Sequence, residues 1–203
     1  MRVDADDFAR PCSCGREHHI DVREIVIESG AIGKLEKEMS DGDLKEYISP
    51  LLICDTNSYK ATEELMEDIY DRCQVLILDA EGLEADERAV EIVENYMEED
   101  IDLVLAVGAG TIHDLSRFVA HQYRIPFVSV PTAASSDGFT STVADMTWNG
   151  VKKVFQASAP LFVFADTDIF CKGACKAYSS RGVGYSGKIH CAGRLEDSKY
   201  SYE

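Results

Sequence analysis

Short apolar segments alternate with longer amphipathic ones from residue 24 to residue 130, and this alternation predicts an α/β fold with a parallel sheet covered on both faces. Two apolar runs within residues 103–141 (LVLAVGAGTIHDLSRFVAHQYRIPFVSVPTAASSDGFTS) each end in a loop of small residues. Loops at the carboxyl ends of successive strands are where open α/β sheets bind their ligands, so the same stretch points to a nucleotide site.

The elements follow in order. Residues 24–27 (EIVI) are short and rich in β-branched side chains, a strand, and 30–39 after Ser29-Gly30 are amphipathic, a helix. Residues 50–54 (PLLIC) form the next strand and 59–70 the next helix. Residues 75–78 and 86–97 repeat the pair. Residues 103–107 are continuously apolar, as a strand buried on both faces requires. Residues 111–123 place Ile112, Leu115, Phe118 and Val119 on one helical face. Residues 126–130 are the following strand, Asn149-Gly150 marks a hairpin turn, and 161–165 is the last apolar strand. The acidic helix residues Glu63, Glu64, Glu67, Asp68, Glu91 and Glu94 form a solvated face.

Three positions carry chemistry. Gly108-Ala109-Gly110 turns a strand into a helix, which aims the unpaired first N–H groups of that helix at one spot, where the helix dipole also favours an anion. The pattern is not G-x-G-x-x-G, and glycine turns of this kind also occur for packing alone. Asp137, in the Ser/Gly-rich second loop, could bind substrate hydroxyls or cap a helix. Asp55 directly follows a strand, where an acidic side chain can reach the ribose hydroxyls of NAD, and a helix cap is the alternative.

Composition sets the bounds. The 203 residues, 45% hydrophobic, suffice for one core, or one domain and part of another. A formal charge of −17 argues against nucleic acid or an anionic membrane as partner, so a phosphate must be held by local backbone amides. The N-terminal residues lack the basic and apolar regions of a signal peptide, and a cytoplasmic protein is expected. Seven cysteines without a regular framework fit a reduced compartment. Cys12-Ser13-Cys14 with Glu17, His18 and His19 has the composition of a metal cluster, but its spacing is unlike that of structural zinc sites, and a solvent-facing segment is the alternative.

GAGTIHD, IPFVSVPTAASSDGFTS, ADMTWNGVKK and APLFVFADTDI together resemble the sn-glycerol-1-phosphate dehydrogenases, especially their bacterial branch. CSCGREHHIDVREIVIESGAI and DTNSYKA are similar to that branch as well, so the resemblance covers about residues 11–170. These enzymes fall in the superfamily of iron-containing alcohol dehydrogenases and 3-dehydroquinate synthases. The resemblance implies a dehydroquinate synthase-like fold: an N-terminal NAD(P)-binding α/β domain, a C-terminal helical domain holding a divalent metal (zinc or nickel), and a homo-oligomer. It implies reduction of dihydroxyacetone phosphate to sn-glycerol 1-phosphate by NADH or NADPH. By the same resemblance Asp55 stands at the ribose position, and Gly110, Thr111, Ile112, His113 and Asp114 form the first nucleotide loop. Thr132, Ser135 and Ser141 are further cofactor contacts, and Asp137 touches substrate. His113 stands where the family more often has Asn. The 3-dehydroquinate synthases are the alternative, and the PTAASSDGFTS loop fits the dehydrogenases better.

Residues 171–203 differ from the rest. They hold six Lys/Arg against three Asp/Glu, where the other 170 hold 14 against 34, and they show no amphipathic period. Such a break at a chain end is the usual mark of a disordered tail. Reverse translation gives a sharper reading: begun one base later, IHCAGRLEDS can encode YTALADWKI, and GYSGK can encode DIVGK, both family-like. Only the Val183 codon cannot supply the expected glycine. A one-base shift near Phe170 to Lys172 would remove the metal-binding aspartate and the helical domain, and would make His190 an accident of frame. The expected organisation is therefore 1–23 an N-terminal segment, 24–170 the NAD(P)-binding domain, and 171–203 an out-of-frame tail. Under it the chain is a non-catalytic, poorly soluble nucleotide-binding fragment of the dehydrogenase that holds no metal.

Overall fold

The structure, a computed structural model, describes residues 1–4, 13–15 and 21–171. Strands β1 (Arg2–Asp4), β2 (Glu24–Glu28), β3 (Pro50–Asp55), β4 (Gln74–Leu78), β5 (Leu103–Gly108), β6 (Phe127–Pro131), β7 (Val143–Trp148), β8 (Val151–Gln156) and β9 (Phe162–Asp166) alternate with helices α1 (Ala31–Ser40), α2 (Thr56–Thr62), α3 (Glu67–Tyr70), α4 (Glu87–Glu94) and α5 (Gly110–Tyr123). Seven strands form one sheet in the order β1-β2-β9-β6-β5-β3-β4, and β7-β8 form a separate hairpin. All neighbours in the large sheet run parallel except β1, which lies antiparallel on β2.

The period of two sorts side chains to opposite faces. Leu51, Ile53, Val104 and Ala106 join the core under α4, α5 and the hairpin, while Leu52, Cys54, Leu103, Leu105 and Val107 join the core under α1 and α3. β5 and β6, central in the sheet, are buried throughout, which is why β5 runs apolar without alternation and β6 does so apart from Ser129, whose hydroxyl meets His113 Nε2. The hairpin turns at Asn149 (φ 53) and Gly150 (φ 72), the two positive angles of a type I′ turn. It packs on α5 through Phe118, Trp148 and Phe155, whose ring centroids lie 5.3–5.8 Å apart.

Most expected elements stand within a residue or two, and three differ. The helix expected over 59–70 is two: α2 begins at Thr56 because Asp55 and Ser58 close a capping box, and Thr62 ends it. The Thr62 hydroxyl bonds back to the Ser58 carbonyl at 2.8 Å and meets Tyr70 Oη at 2.7 Å, a local alternative to continued helix. The helix expected over 86–97 stops at Glu94. β1 falls inside the segment set apart as 1–23, and three residues are too few to show a period. Cys12, Glu17, His18 and His19 of the N-terminal cluster, and all of the 171–203 tail beyond Cys171, lie outside the described residues.

Gly108 fits the β5–α5 joint closely. A Cβ there would lie 2.6 Å from Ile112 Cγ1 and 2.7 Å from Ile112 Cβ, and a β-branched helical residue has no free rotamer with which to yield. Gly108→Ala should therefore cost on the order of 1–3 kcal/mol by overpacking. Urea unfolding checks this, and an unchanged midpoint would show that the joint is slack.

Candidate functional site

Neighbour order places the site. From β3 the chain moves outward to β4, then crosses back to β5 on the other side of β3 and continues to β6. The order thus reverses between β3 and β5, and a crevice opens beyond their carboxyl ends, as it does at such switch points. A cleft of about 840 Å³ lies there, lined by Asp55, Asn57 and Ser58 after β3, Ala109, Thr111 and Ile112 after β5, and Thr132 and Ala133 after β6.

Helix termini differ in one respect around this cleft. Asp55 Oδ1 accepts from the N–H groups of Asn57 (2.8 Å) and Ser58 (2.9 Å) at the start of α2. Asp86 Oδ1 caps α4 through Ala89 N–H, and the buried Asp166 carboxylate caps α1 through Gly30 and Ile32 N–H. α5, whose N-cap position is Ala109, has no side-chain cap and no acidic residue in its first turn. In so acidic a chain, the positive end of the central helix is left facing the cleft, which suits an anion.

Asp55 thus fills the capping role weighed against ribose binding, through one oxygen, and still lines the cleft. Gly110 starts α5, and a Cβ on it would touch Ser136 Cβ at 3.4 Å, so the two small-residue loops meet here. Thr111 and Thr132 face the cleft, and Thr132 N–H donates to the Gly108 carbonyl at 3.0 Å, tying the loops at their roots. Ile112 lines the cleft and also enters the core, so only its backbone is polar toward a ligand.

His113 departs from the expected placement. Its ring is fully buried, Nδ1 lies 2.9 Å from the Ala109 carbonyl and Nε2 2.7 Å from Ser129 Oγ, and its backbone N–H also donates to Ala109. No polar group of His113 is left for a nucleotide. Asp114 points to a neighbouring cleft of about 550 Å³, shared with Thr111, Glu84, Asp145, Lys152 and Lys153. Burial raises its carboxyl pKa against the opposing pull of the Arg117 charge.

The second loop hangs on a residue that the sequence reading missed. Arg117, 1% exposed on α5, donates through Nη1 to the Val143 carbonyl (2.6 Å) and through Nη2 to the Gly138 and Phe139 carbonyls. Asp114 lies 3.6 Å away and the Phe127 ring 5.7 Å from the guanidinium carbon. Desolvation lowers the Arg117 pKa and Asp114 opposes it, but an arginine keeps its charge. The signal was present in SRFVA, one cation set among apolar helix positions.

Within the loop, Ser136 Oγ accepts from Gly138 N–H (3.1 Å) and Ser141 Oγ from Val143 N–H (3.0 Å). Ser135 and Asp137 are exposed, and neither lines the larger cleft. The resemblance implies a metal, but among the described residues no group of three His, Cys, Asp or Glu converges to hold one. The described donors therefore do not fit the ion. None of the helices is long and apolar enough to cross a membrane among the described residues.

The iron-containing alcohol dehydrogenase family matches residues 26–173. A glycerol-1-phosphate dehydrogenase [NAD(P)+] of Geobacillus thermodenitrificans is 38% identical over 184 residues, covering 87% of this chain and 45% of that protein. One from Bacillus subtilis is 34% identical over 189 residues, covering 89% and 47%. The chain spans just under half the length of these relatives. Among solved structures, glycerol dehydrogenase from Schizosaccharomyces pombe superposes with a TM-score of 0.60 at 22% identity, over 72% of this chain and 37% of that one. An iron-containing alcohol dehydrogenase from Thermotoga maritima gives 0.63 at 18%, over 75% and 48%. These structures share the fold.

Two outcomes follow from the buried groups. Arg117→Met strips three carbonyls of their donor and should cost about 2–4 kcal/mol, with chymotrypsin then cutting at Phe139; resistance equal to wild type would show that the loop holds itself. Burial, aided by the Arg117 charge and opposed by the Ala109 carbonyl, pushes His113 down to about 4. The unfolded chain takes up this proton near pH 6.5 and the folded chain only near 4, so the stability present above pH 6.5 falls as the pH drops between them, by up to about 3 kcal/mol. Unfolding at neutral pH and near pH 5 should show a shallower loss for His113→Asn than for wild type, and equal losses would place the titration elsewhere.

Proposed function

This chain belongs to the iron-containing alcohol dehydrogenase family, and we propose that residues 24–170 form the dinucleotide-binding part of an NAD(P)-dependent sn-glycerol-1-phosphate dehydrogenase. The observation that carries the reading is the cleft at the β3/β5 switch point, where a strand-end carboxylate, Asp55, shares one surface with the uncapped N-terminus of α5. The identity to glycerol-1-phosphate dehydrogenases supports the substrate.

In this reading the cofactor pyrophosphate sits at the first turn of α5 on the amides of Gly110, Thr111 and Ile112. The second Asp55 oxygen, free of the α2 cap, accepts from the ribose hydroxyls. Thr132 lines the cleft, Ser135 and Ser141 further along the same loop contact the cofactor toward its nicotinamide end, and Asp137 waits on substrate. Asp114 shapes the neighbouring cleft and His113 acts from within. The reaction is a hydride passing from the reduced nicotinamide to the carbonyl carbon of dihydroxyacetone phosphate, while the oxygen takes a proton and becomes the secondary alcohol.

The test uses the whole chain. NADH and ADP-ribose should bind, and Asp55→Asn, which keeps a competent helix cap, should weaken both by about tenfold, equivalent to about 1.4 kcal/mol. The same variant should favour NADPH relative to wild type, since a carboxylate repels a 2′-phosphate. Unaltered affinities in Asp55→Asn would remove Asp55 from the site, and no binding of either ligand to wild type would sink the dinucleotide reading. NADH oxidation with dihydroxyacetone phosphate, in zinc or nickel, tests the substrate; binding without turnover would leave this chain as a nucleotide-binding part alone.

A further inference from the structure

We propose that His113 is a positioning residue that aims the Gly110 N–H into the cleft, acting from inside the fold without touching the ligand. The proposal rests on the dinucleotide reading above. It begins with the Ala109 carbonyl, which two donors of one residue hold: the His113 backbone N–H at 3.2 Å and the ring Nδ1 at 2.9 Å. The Ala109–Gly110 peptide is trans, as are all described peptide bonds, so its C=O and N–H point in opposite directions. Drawing the carbonyl inward therefore turns the Gly110 N–H outward, at the start of α5, whose first turn has no side-chain cap.

The partners decide the tautomer. A carbonyl only accepts, so Nδ1 carries the proton, and the bare Nε2 accepts from the Ser129 hydroxyl at 2.7 Å. Ser129 is fully buried in β6, the strand that leads into the second loop. The ring also packs T-shaped with Phe139 of that loop, with centroids 4.7 Å apart. One imidazole thus fixes the first loop against the strand and loop that carry the second. A side chain that only filled space would need neither bond. Nothing in the ring is polar and free, so its influence on a ligand passes through the peptide plane it orients.

The experiment compares two probes on the full chain. ADP-ribose carries the pyrophosphate that the Gly110 N–H would meet, whereas adenosine has no phosphate. His113→Leu should weaken ADP-ribose about tenfold or more and leave adenosine, followed by ligand-observed NMR, within about twofold. His113→Asn, whose amide can still donate to Ala109, should recover most of the loss. Ser129→Ala, a milder change to the same ring, should weaken ADP-ribose several-fold and guards against a leucine variant that does not fold. Equal losses for both probes would reduce His113 to a packing role, and ADP-ribose affinities unchanged in His113→Leu or Ser129→Ala would overturn the proposal. Wild-type protein that fails to bind ADP-ribose would instead overturn the dinucleotide reading, and this proposal with it.

Discussion

A buried guanidinium on α5 organises the ligand side of the molecule. Arg117 directs its Nη donors to three backbone carbonyls of residues 138–143, a segment that runs from a 3₁₀ turn through irregular backbone to the first residue of β7. Irregular backbone near the interior needs partners for its polar groups, and here one planar fork supplies several at once. Asp114 one turn earlier offsets the charge, so the desolvation of the cation is shared with a neighbour and with carbonyl dipoles. The arginine Nε remains without a partner, a residual cost of that placement.

The same helix carries the rest of the site in sequence along its length. Its first turn offers free N–H groups, its His113 grips the turn that precedes it, its Arg117 holds the second loop, and Phe118 supports the hairpin. Gly108 lets this helix start hard against the end of β5, since any side chain there would overlap Ile112. A displacement of α5 would therefore move both loops together. This mechanical unity suits a cofactor that must be gripped at its phosphates and presented at its far end.

Charge is handled locally. The chain carries a formal −17, yet the cleft presents the positive end of a helix free of acidic residues in its first turn. Carboxylates cap three other helices, with Asp55 on α2, Asp86 on α4 and Asp166 on α1. Hydrogen-bond donors fixed at short range outweigh a diffuse field that salt screens within about 10 Å. A phosphate can thus bind an acidic protein.

Much of this was legible in the amino-acid order. The continuous apolar run at 103–107 meant a strand buried on both faces, 126–130 meant the next strand, Asn149-Gly150 meant a hairpin turn, and Gly108-Ala109-Gly110 meant a strand-to-helix joint, because each depends on period or backbone freedom within a few residues. Asp55 was legible as either a cap or a ribose ligand, and its two oxygens leave room for both. Other features needed the tertiary structure: β3 beside β5, the inward turn of His113 onto Ser129, the grip of Arg117 on carbonyls 21 to 26 residues away, and Asp166 capping a helix 134 residues earlier. Local order determined which segments could be strands, helices and turns. Which polar groups would be left free to meet a ligand was decided only when distant segments had satisfied the others, because a buried polar group takes its partner from whatever the fold brings within about 3 Å.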